Sequence, residues 1–305
     1  MKEKFEVTTL TKEEIMKSAI TNGASDSMRL KCKASDLAML MGCRTEKSEN
    51  NCFWGTATFE KTIYGDREFT WVDFLGEFRT YCIGNSRGFF EGIRPVLSFA
   101  SEEEYNRIRN RMNQNLCIQS DTNRIMLEYG MYPQKVVSSD LNKELETLFE
   151  NGILKTTGNI YTTINETSTC LDHPIIEKGN EYNYNGKRYV RLEKIVGDVA
   201  NIDKSTGAIL PEWLEVSPIN WIVDDENRKL ISETVLTAGM NFFPADKSDN
   251  FKNSNVYKFL NDTFIREMLQ SQEKLNTNTE ESTEKKEINP YGLNFNEVSE
   301  EDIIK

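Results

Sequence analysis

Tyr182-Asn183-Tyr184-Asn185-Gly186-Lys187-Arg188-Tyr189-Val190 reads as a strand, a two-residue turn and a second strand. Asn-Gly between alternating apolar residues is the strongest short hairpin signal, because a type I′ turn needs positive φ at both central positions. The second arm extends from Arg188 to Ile195. Around this hairpin the middle of the chain reads as β: Ile160 to Thr163 precedes it. A second hairpin follows, from Trp213 to Val223, through a turn at Asp224–Asn227, to Lys229–Leu236.

Helix signals flank this β region. Thr11-Lys12-Glu13-Glu14 is a capping box, in which Glu14 reaches back to the Thr11 amide, and Ile15, Met16, Ala19 and Ile20 follow as one apolar side. Met28 to Lys33 alternates like a short strand. Ser35 and Asp36 open a short helix through Met41, stopped by Gly42. Ser101-Glu102-Glu103-Glu104 is another capping box, with Tyr105, Ile108 and Met112 at helical spacing. Further helices start at Asp140, with Leu141, Leu145, Leu148 and Phe149 on one face, and at Ser254, which caps Val256, Tyr257, Phe259 and Leu260. Phe264, Ile265, Met268 and Leu269 close the part expected to fold.

Between Phe53 and Phe90, eleven of 38 residues are aromatic, against 10% in the whole chain. Glycines at 55, 65, 76, 84 and 88 break the run into short strands and turns. It ends in Gly92-Ile93-Arg94-Pro95-Val96-Leu97-Ser98-Phe99, a closing strand whose proline predicts an edge or a bulge. Most of these aromatics belong to a core. The rest, Trp54, Tyr64, Trp71, Tyr81 and Phe89, interleaved with Arg67, Arg79, Asn85 and Arg87, have the composition of a recognition surface carried on loops.

The chain has 305 residues, 37 Lys and Arg against 49 Asp and Glu, and a net charge of −12. That balance disfavours nucleic acid, whose phosphates need clustered bases. Hydrophobic residues make up 38%, below the roughly 45–50% of an average domain. Residues 272–305 account for part of both figures, with nine acids and four bases. Gln272 to Glu287 holds one large aliphatic residue, Leu275, too little to offset chain entropy, so 272–288 reads as a disordered linker. The last segment, 289–305, regains apolar residues, among them Tyr291, Leu293, Phe295 and Ile303, and reads as a docking tail.

No secretory signal opens the chain and no run of 18 apolar residues could cross a membrane, so a cytoplasmic protein is expected. Six cysteines at 32, 43, 52, 82, 117 and 170 contain no C-x-x-C pair. They read as free, mostly buried thiols rather than zinc ligands. Neither a metal nor a cofactor is expected. Gly179 to Lys187 lacks P-loop spacing, and Arg188 stands where the hydroxyl would be. Asp224-Asp225-Glu226-Asn227 lacks EF-hand alternation and reads as a solvated turn. His173, the sole histidine, sits in Leu171-Asp172-His173-Pro174 with no nucleophile motif nearby, so it reads as a loop residue rather than a base.

Four stretches together resemble bacterial formylglycine-generating-enzyme-like domains with a C-type-lectin fold. They are Gly92-Ile93-Arg94-Pro95-Val96-Leu97, Glu215-Val216-Ser217-Pro218-Ile219-Asn220-Trp221-Ile222-Val223, Asn253-Ser254-Asn255-Val256-Tyr257-Lys258-Phe259-Leu260-Asn261-Asp262-Thr263-Phe264 and Tyr129-Gly130-Met131-Tyr132-Pro133-Gln134. The resemblance spans most of 5–270 and implies an α+β fold of short twisted strands and several helices. Here the two halves stand in exchanged order, similar to clostridial proteins of unknown function, which implies a circular permutation. The implied organisation is a half-domain at 1–100, a helical connector at 101–123 and a second half-domain at 124–271. The copper-binding cysteine pair of the true enzymes has no recognisable motif here, Cys82 being merely near its place, so catalysis is not implied. Non-catalytic members bind ligands on aromatic loops before the final strand, where Phe53 to Phe90 lies. The tail, Asn289 to Phe295 and Val298 to Lys305, is similar to the segment preceding the core of MoxR-type AAA+ ATPases fused to such domains.

The expectation is a non-enzymatic recognition module that binds a protein or another ligand and whose tail docks a partner, with an AAA+ ATPase as the implied one. The alternatives are an oxidase of the formylglycine-generating kind, which needs two converging cysteines, and a structural or regulatory remnant of an AAA+ fusion.

Overall fold

Asn185 and Gly186 both take positive φ, 50° and 77°, and their flanks pair antiparallel from Lys187↔Tyr184 to Val190↔Glu181. The type I′ hairpin is formed as the sequence predicts. The computed structural model describes residues 5–18, 30–46, 49–61, 67–82, 91–112, 117–119, 124–165, 175–193, 210–242 and 250–270.

In chain order these form β1 (Phe5–Thr8), α1 (Lys12–Lys17), α2 (Asp36–Leu40), β2 (Trp54–Lys61), β3 (Arg67–Val72), β4 (Phe78–Cys82) and β5 (Val96–Phe99). Then come α3 (Glu102–Met112), β6 (Cys117–Gln119), β7 (Arg124–Val136), α4 (Ser139–Glu150), β8 (Lys155–Asn165), β9 (Ile175–Tyr184) and β10 (Lys187–Leu192). Last are β11 (Glu212–Asp224), β12 (Lys229–Ser232) and α5 (Asn255–Phe259), which runs on through a π-helical turn at Leu260–Phe264 into helical residues 265–270. The fold is mixed α+β, with antiparallel sheets dominating and few helices.

One sheet of nine strands runs β1-β5-β12-β11-β10-β9-β8, with β7 on the other side of β11 and β6 beyond β7. A separate sheet is β2-β3-β4. β11 is the branch point. Leu214 faces Val190 of β10 on one side and Val136 of β7 on the other. Further along, Ile222 faces Ile231 of β12 and Met126 of β7. With neighbours on both edges, β11 is almost continuously buried. Pro218, paired with Met131, stands at the edge of an irregularity where the ladder shifts register between Pro218 and Asn220, the kind of position at which a strand tolerates proline. Gln134 Nε2 donates to the carbonyls of Ser217 (3.0 Å) and Pro218 (2.9 Å), satisfying the bulge.

Local chemistry sets the helix starts. Thr11 and Glu14 form the reciprocal capping box, Ser35 caps α2 and Ser254 caps α5. For α4 the cap is Ser138, just upstream of the Asp140 start read from sequence. Two expectations are corrected. Pro95 does not mark an edge: β5 lies between β1 and β12. The strand begins one residue after the proline, whose carbonyl accepts from Ser232 N (3.0 Å), so the absent N–H falls outside the ladder. Met16, placed with Ile15 on the apolar side of α1, is exposed whereas Ile15 is buried.

A single core joins strands from both ends of the chain, with Trp54, Trp221, Tyr132, Tyr161, Phe69, Phe242 and Phe264 fully buried in it. A smaller cluster, Leu145, Tyr189 and Trp213, seats α4 on the sheet. There Arg191 lies over the Phe149 ring (4.4 Å) and pairs with Glu146, which also accepts from Trp213 Nε1 (2.9 Å). Among the described residues no helix is long and apolar enough to cross a membrane.

The outer edge of β8 is closed by the C-terminal helix. Thr162 N donates to Glu267 Oε2 (2.9 Å), and Gln270 Nε2 donates to Ile160 O (2.9 Å). Burial pushes the Glu267 carboxyl up to about 7, against the Thr162 hydrogen bonds that favour its charged form. The folded chain therefore holds this proton more tightly than the unfolded one, whose carboxyl titrates near 4.5. The resulting stabilisation is complete below pH 4.5 and lost as pH rises through 7, an effect of up to about 3 kcal/mol. Glu267→Gln should match the wild type in urea unfolding at low pH and exceed it at pH 8 by roughly that amount. An unchanged difference between the two pH values would show that Glu267 does not titrate as argued.

Candidate functional site

The small sheet organises the aromatic run. β3 pairs with β2 and β4, placing Trp71 opposite Gly55 on one side and Arg79 on the other, and Trp54 opposite Val72. Directly paired residues share a face and successive residues alternate. Phe69, Trp71 and Arg79 therefore lie on one face of the sheet, and Trp54 on the other.

The shared face is aromatic along its length. At its buried end Phe69 packs on Phe59 and Phe242 (centroids 5.6 and 5.0 Å). The Phe242 ring fills the space that a side chain at Gly55 would need. At its open end Trp71 packs on Phe53 (4.9 Å), and Phe53 meets Phe74 edge-on (5.3 Å). Arg44 lies over the Phe53 ring (5.5 Å). Trp71 is half-buried, and its indole N–H is shielded from solvent with no acceptor among the described residues.

A tight turn presents the tip of this ridge. Asp73 Oδ1 accepts from Leu75 N and Glu77 N (both 2.9 Å), and Gly76 takes φ 83°. An aspartate accepting two residues on is an Asx turn. Leu75, at its apex, is left 43% exposed. Arg79 braces the turn through Asp73 (2.8 Å) and Glu77 (2.7 Å).

Comparison with known protein families, with curated proteins and with solved structures finds no match.

Of the residues singled out in the sequence, Trp71 and Arg79 come together. Trp54 does not join them. It is fully buried on the opposite face, with Nε1 donating to Leu30 O (3.2 Å). Arg79 is held by the turn it braces rather than standing ready for a ligand. Arg67 and Tyr81 are placed in β3 and β4 by their backbones, but their side chains lie outside what is described. Tyr64, Asn85, Arg87 and Phe89 lie outside the described residues, as do His173, the linker and the tail residues Tyr291, Leu293, Phe295 and Ile303. Sequence reasoning passed over Phe53, Phe74, Leu75 and Arg44. The Asp73-Phe74-Leu75-Gly76 turn, with two apolar residues at its tip, was the available signal.

Cys32, Cys43 and Cys52 are free and buried, as expected for structural thiols. Cys43 donates to Phe53 O and Cys52 to Cys32 O, yet Cys43 lies close enough to Cys52 to disfavour the Cys52 thiolate. Burial pushes the Cys32 thiol up to about 12 and holds Cys52 well above the usual thiol range. Both stay neutral at physiological pH, whereas the nucleophilic and metal-binding form is the thiolate. Among the described residues no group of three or more His, Cys, Asp or Glu is placed to hold a metal ion.

Proposed function

We propose that this chain is a non-enzymatic recognition module that seats a protein partner on the ridge formed by Phe53, Trp71, Phe74 and Leu75. The observation that carries the proposal is Trp71. It is the one tryptophan of four that is not fully buried, and its indole N–H has no acceptor among the described residues. That N–H is closed off from solvent, so what a partner meets is the exposed part of the ring, whose apolar area binding would bury. Aromatic anchors with an apolar tip and a charged rim, here Arg44, Arg79 and Glu77, are the composition of interface hot spots.

The finer reading of the fold is a permuted C-type-lectin-like domain of the formylglycine-generating-enzyme-like kind. Its support is the quoted motifs together with the position of β2–β4 directly before the Gly92–Leu97 stretch. On that reading the tail docks a MoxR-type AAA+ ATPase, and deleting 288–305 should remove that partner while leaving the ridge unaffected. The test of the ridge is affinity capture from the native host with wild type and with Trp71→Ala/Leu75→Ser, both checked for unchanged unfolding curves. Loss of an anchor worth about 2 kcal/mol weakens binding roughly 30-fold, so the captured protein should disappear. A partner retained by the double variant would refute the surface.

One observation favours a second reading, an oxidase of the formylglycine-generating kind: the approach of Cys43 to Cys52. The neutral state of the Cys52 thiol counts against it. This reading requires oxygen consumption with a thiol-bearing peptide, abolished in Cys52→Ser.

A further inference from the structure

The C-terminal helix is tied to both ends of the large sheet. On β1, Val7 N donates to Asn261 Oδ1 (3.0 Å), Asn261 Nδ2 donates to Val7 O (2.8 Å), and Tyr257 OH donates to Glu6 Oε1 (2.6 Å). On β8, Thr162 N donates to Glu267 Oε2 (2.9 Å), Ile160 N donates to Gln270 Oε1 (3.4 Å), and Gln270 Nε2 donates to Ile160 O (2.9 Å). At each edge a side-chain amide stands in for a neighbouring strand, meeting both the N–H and the C=O of one residue.

Between the two ties the helix changes its winding. Ile265 N donates to Leu260 O, five residues back instead of four. A π-helical turn of this kind is where helices kink, and it is frequent at functional sites. The two sides of the turn are held unequally. Up to the turn, Val256, Phe259, Leu260 and Phe264 are all buried in the main core. Beyond it Met268 is the one fully buried apolar residue, with Ile265 and Leu269 half-buried. The other buried position there is the carboxyl of Glu267.

We propose that helical residues 265–270 form a pH-opened flap, hinged at the π-helical turn and resting on the outer edge of β8. Glu267 is its trigger. Facing it are Tyr132 of β7, Lys178 of β9 and, on its own helix, Arg266. Tyr161 of β8 meets Tyr132 edge-on (5.7 Å) and donates its hydroxyl to Glu181. The two cations and the Thr162 hydrogen bonds favour the carboxylate, but burial outweighs them and pushes the carboxyl up to about 7. In an open flap the same carboxyl meets water and titrates near its ordinary 4.5. The closed flap therefore holds the proton more tightly, and opening is favoured about tenfold per pH unit between those two values. Opening bares the N–H and C=O of Ile160 and the N–H of Thr162, unpaired groups on a strand edge of the kind that another strand can pair with.

The test is hydrogen exchange of the full chain, resolved by NMR, from about pH 5 to 8, with each amide corrected for its intrinsic rate. The amides of Ile160 and Thr162 should exchange at least about tenfold ahead of Val7, on the anchored side, and of Ile222, in the branch strand. Their protection should fall about tenfold per pH unit up to 7 and level off above it. Glu267→Gln, which keeps an acceptor for Thr162 N, should flatten that slope. Gln270→Ala should lower the protection of Ile160 at every pH and leave the slope intact, so a tie and a trigger are told apart even if the first variant fails to fold. The proposal is overturned if Ile160 and Thr162 exchange together with Val7 and Ile222, if Glu267→Gln retains the wild-type slope, or if Gln270→Ala leaves Ile160 as protected as before.

Discussion

Trp221→Ala should remove about 4 kcal/mol of stability, within the range for deleting a large aromatic from a core. Trp221 is fully buried on β11, opposite Ser232 of β12 and Leu127 of β7. It therefore sits where the sheet branches and one strand serves two neighbours. Its Nε1 donates to Tyr129 O (2.7 Å), so truncation opens a cavity and also takes from the Tyr129 carbonyl on β7 the donor that β11 supplies. Urea unfolding followed by far-UV circular dichroism measures the loss without relying on tryptophan emission. Trp221→Phe, which keeps most of the ring volume, should lose only about 1–2 kcal/mol. Equal losses in the two variants would mean that packing at the branch is not what Trp221 supplies.

Glu181→Ala should be as damaging, again about 4 kcal/mol, for a different reason. Glu181 is fully buried on β9 and accepts from Thr157 Oγ1 (2.8 Å), Asn159 Nδ2 (3.0 Å) and Tyr161 OH (3.0 Å). These donors lie on β8 around the shift in register between Thr156 and Ile160, where Gly158 takes φ 82°. One carboxylate thus ties down an irregular stretch of the outermost strand. Removing it opens a buried cavity and takes one hydrogen bond from each of three side chains, each lost bond costing roughly 0.5–1.5 kcal/mol, although the Thr157 hydroxyl still reaches the main-chain oxygen of residue 181 (3.4 Å). Glu181→Gln keeps one acceptor oxygen and should lose about half as much. Amide hydrogen exchange should show the same order, with residues 160–164 exposed first in Glu181→Ala. Protection of β8 unchanged from wild type would contradict the stapling role.

Elements with self-contained chemistry were legible in the sequence. Asn185-Gly186 specified its hairpin, and the caps at Thr11, Ser35 and Ser254 specified helix starts, because each needs only residues within four positions. β7 was not legible. Gly130 and Pro133 punctuate Tyr129–Gln134 and break any strand pattern. Their reasons are tertiary: Gly130 takes φ 71° and Met268 Cγ lies 2.2 Å from where a β-carbon would be. Met268 lies far along the chain. The division of the aromatics failed on register. Trp54 and Gly55 are neighbours in sequence, and pairing with Val72 and Trp71 sends them to opposite faces. A shift between Gly55 and Phe59 then defeats simple alternation along β2. The cysteines show the same limit: spacings of 11 and 9 residues carry no hint that Cys43 meets Cys52.

Site-specific photocrosslinking asks whether a partner sits on the ridge. A photoreactive phenylalanine analogue is placed at Leu75, the exposed tip, or at Ile153, an aliphatic residue 60% exposed just after α4. Both full-length variants are irradiated in extracts of the native host. A ridge that seats a partner should give a crosslinked protein from position 75, absent from position 153 and lost when Trp71→Ala is added. The same protein captured equally from both positions, or a bound partner that never crosslinks at 75, would contradict it.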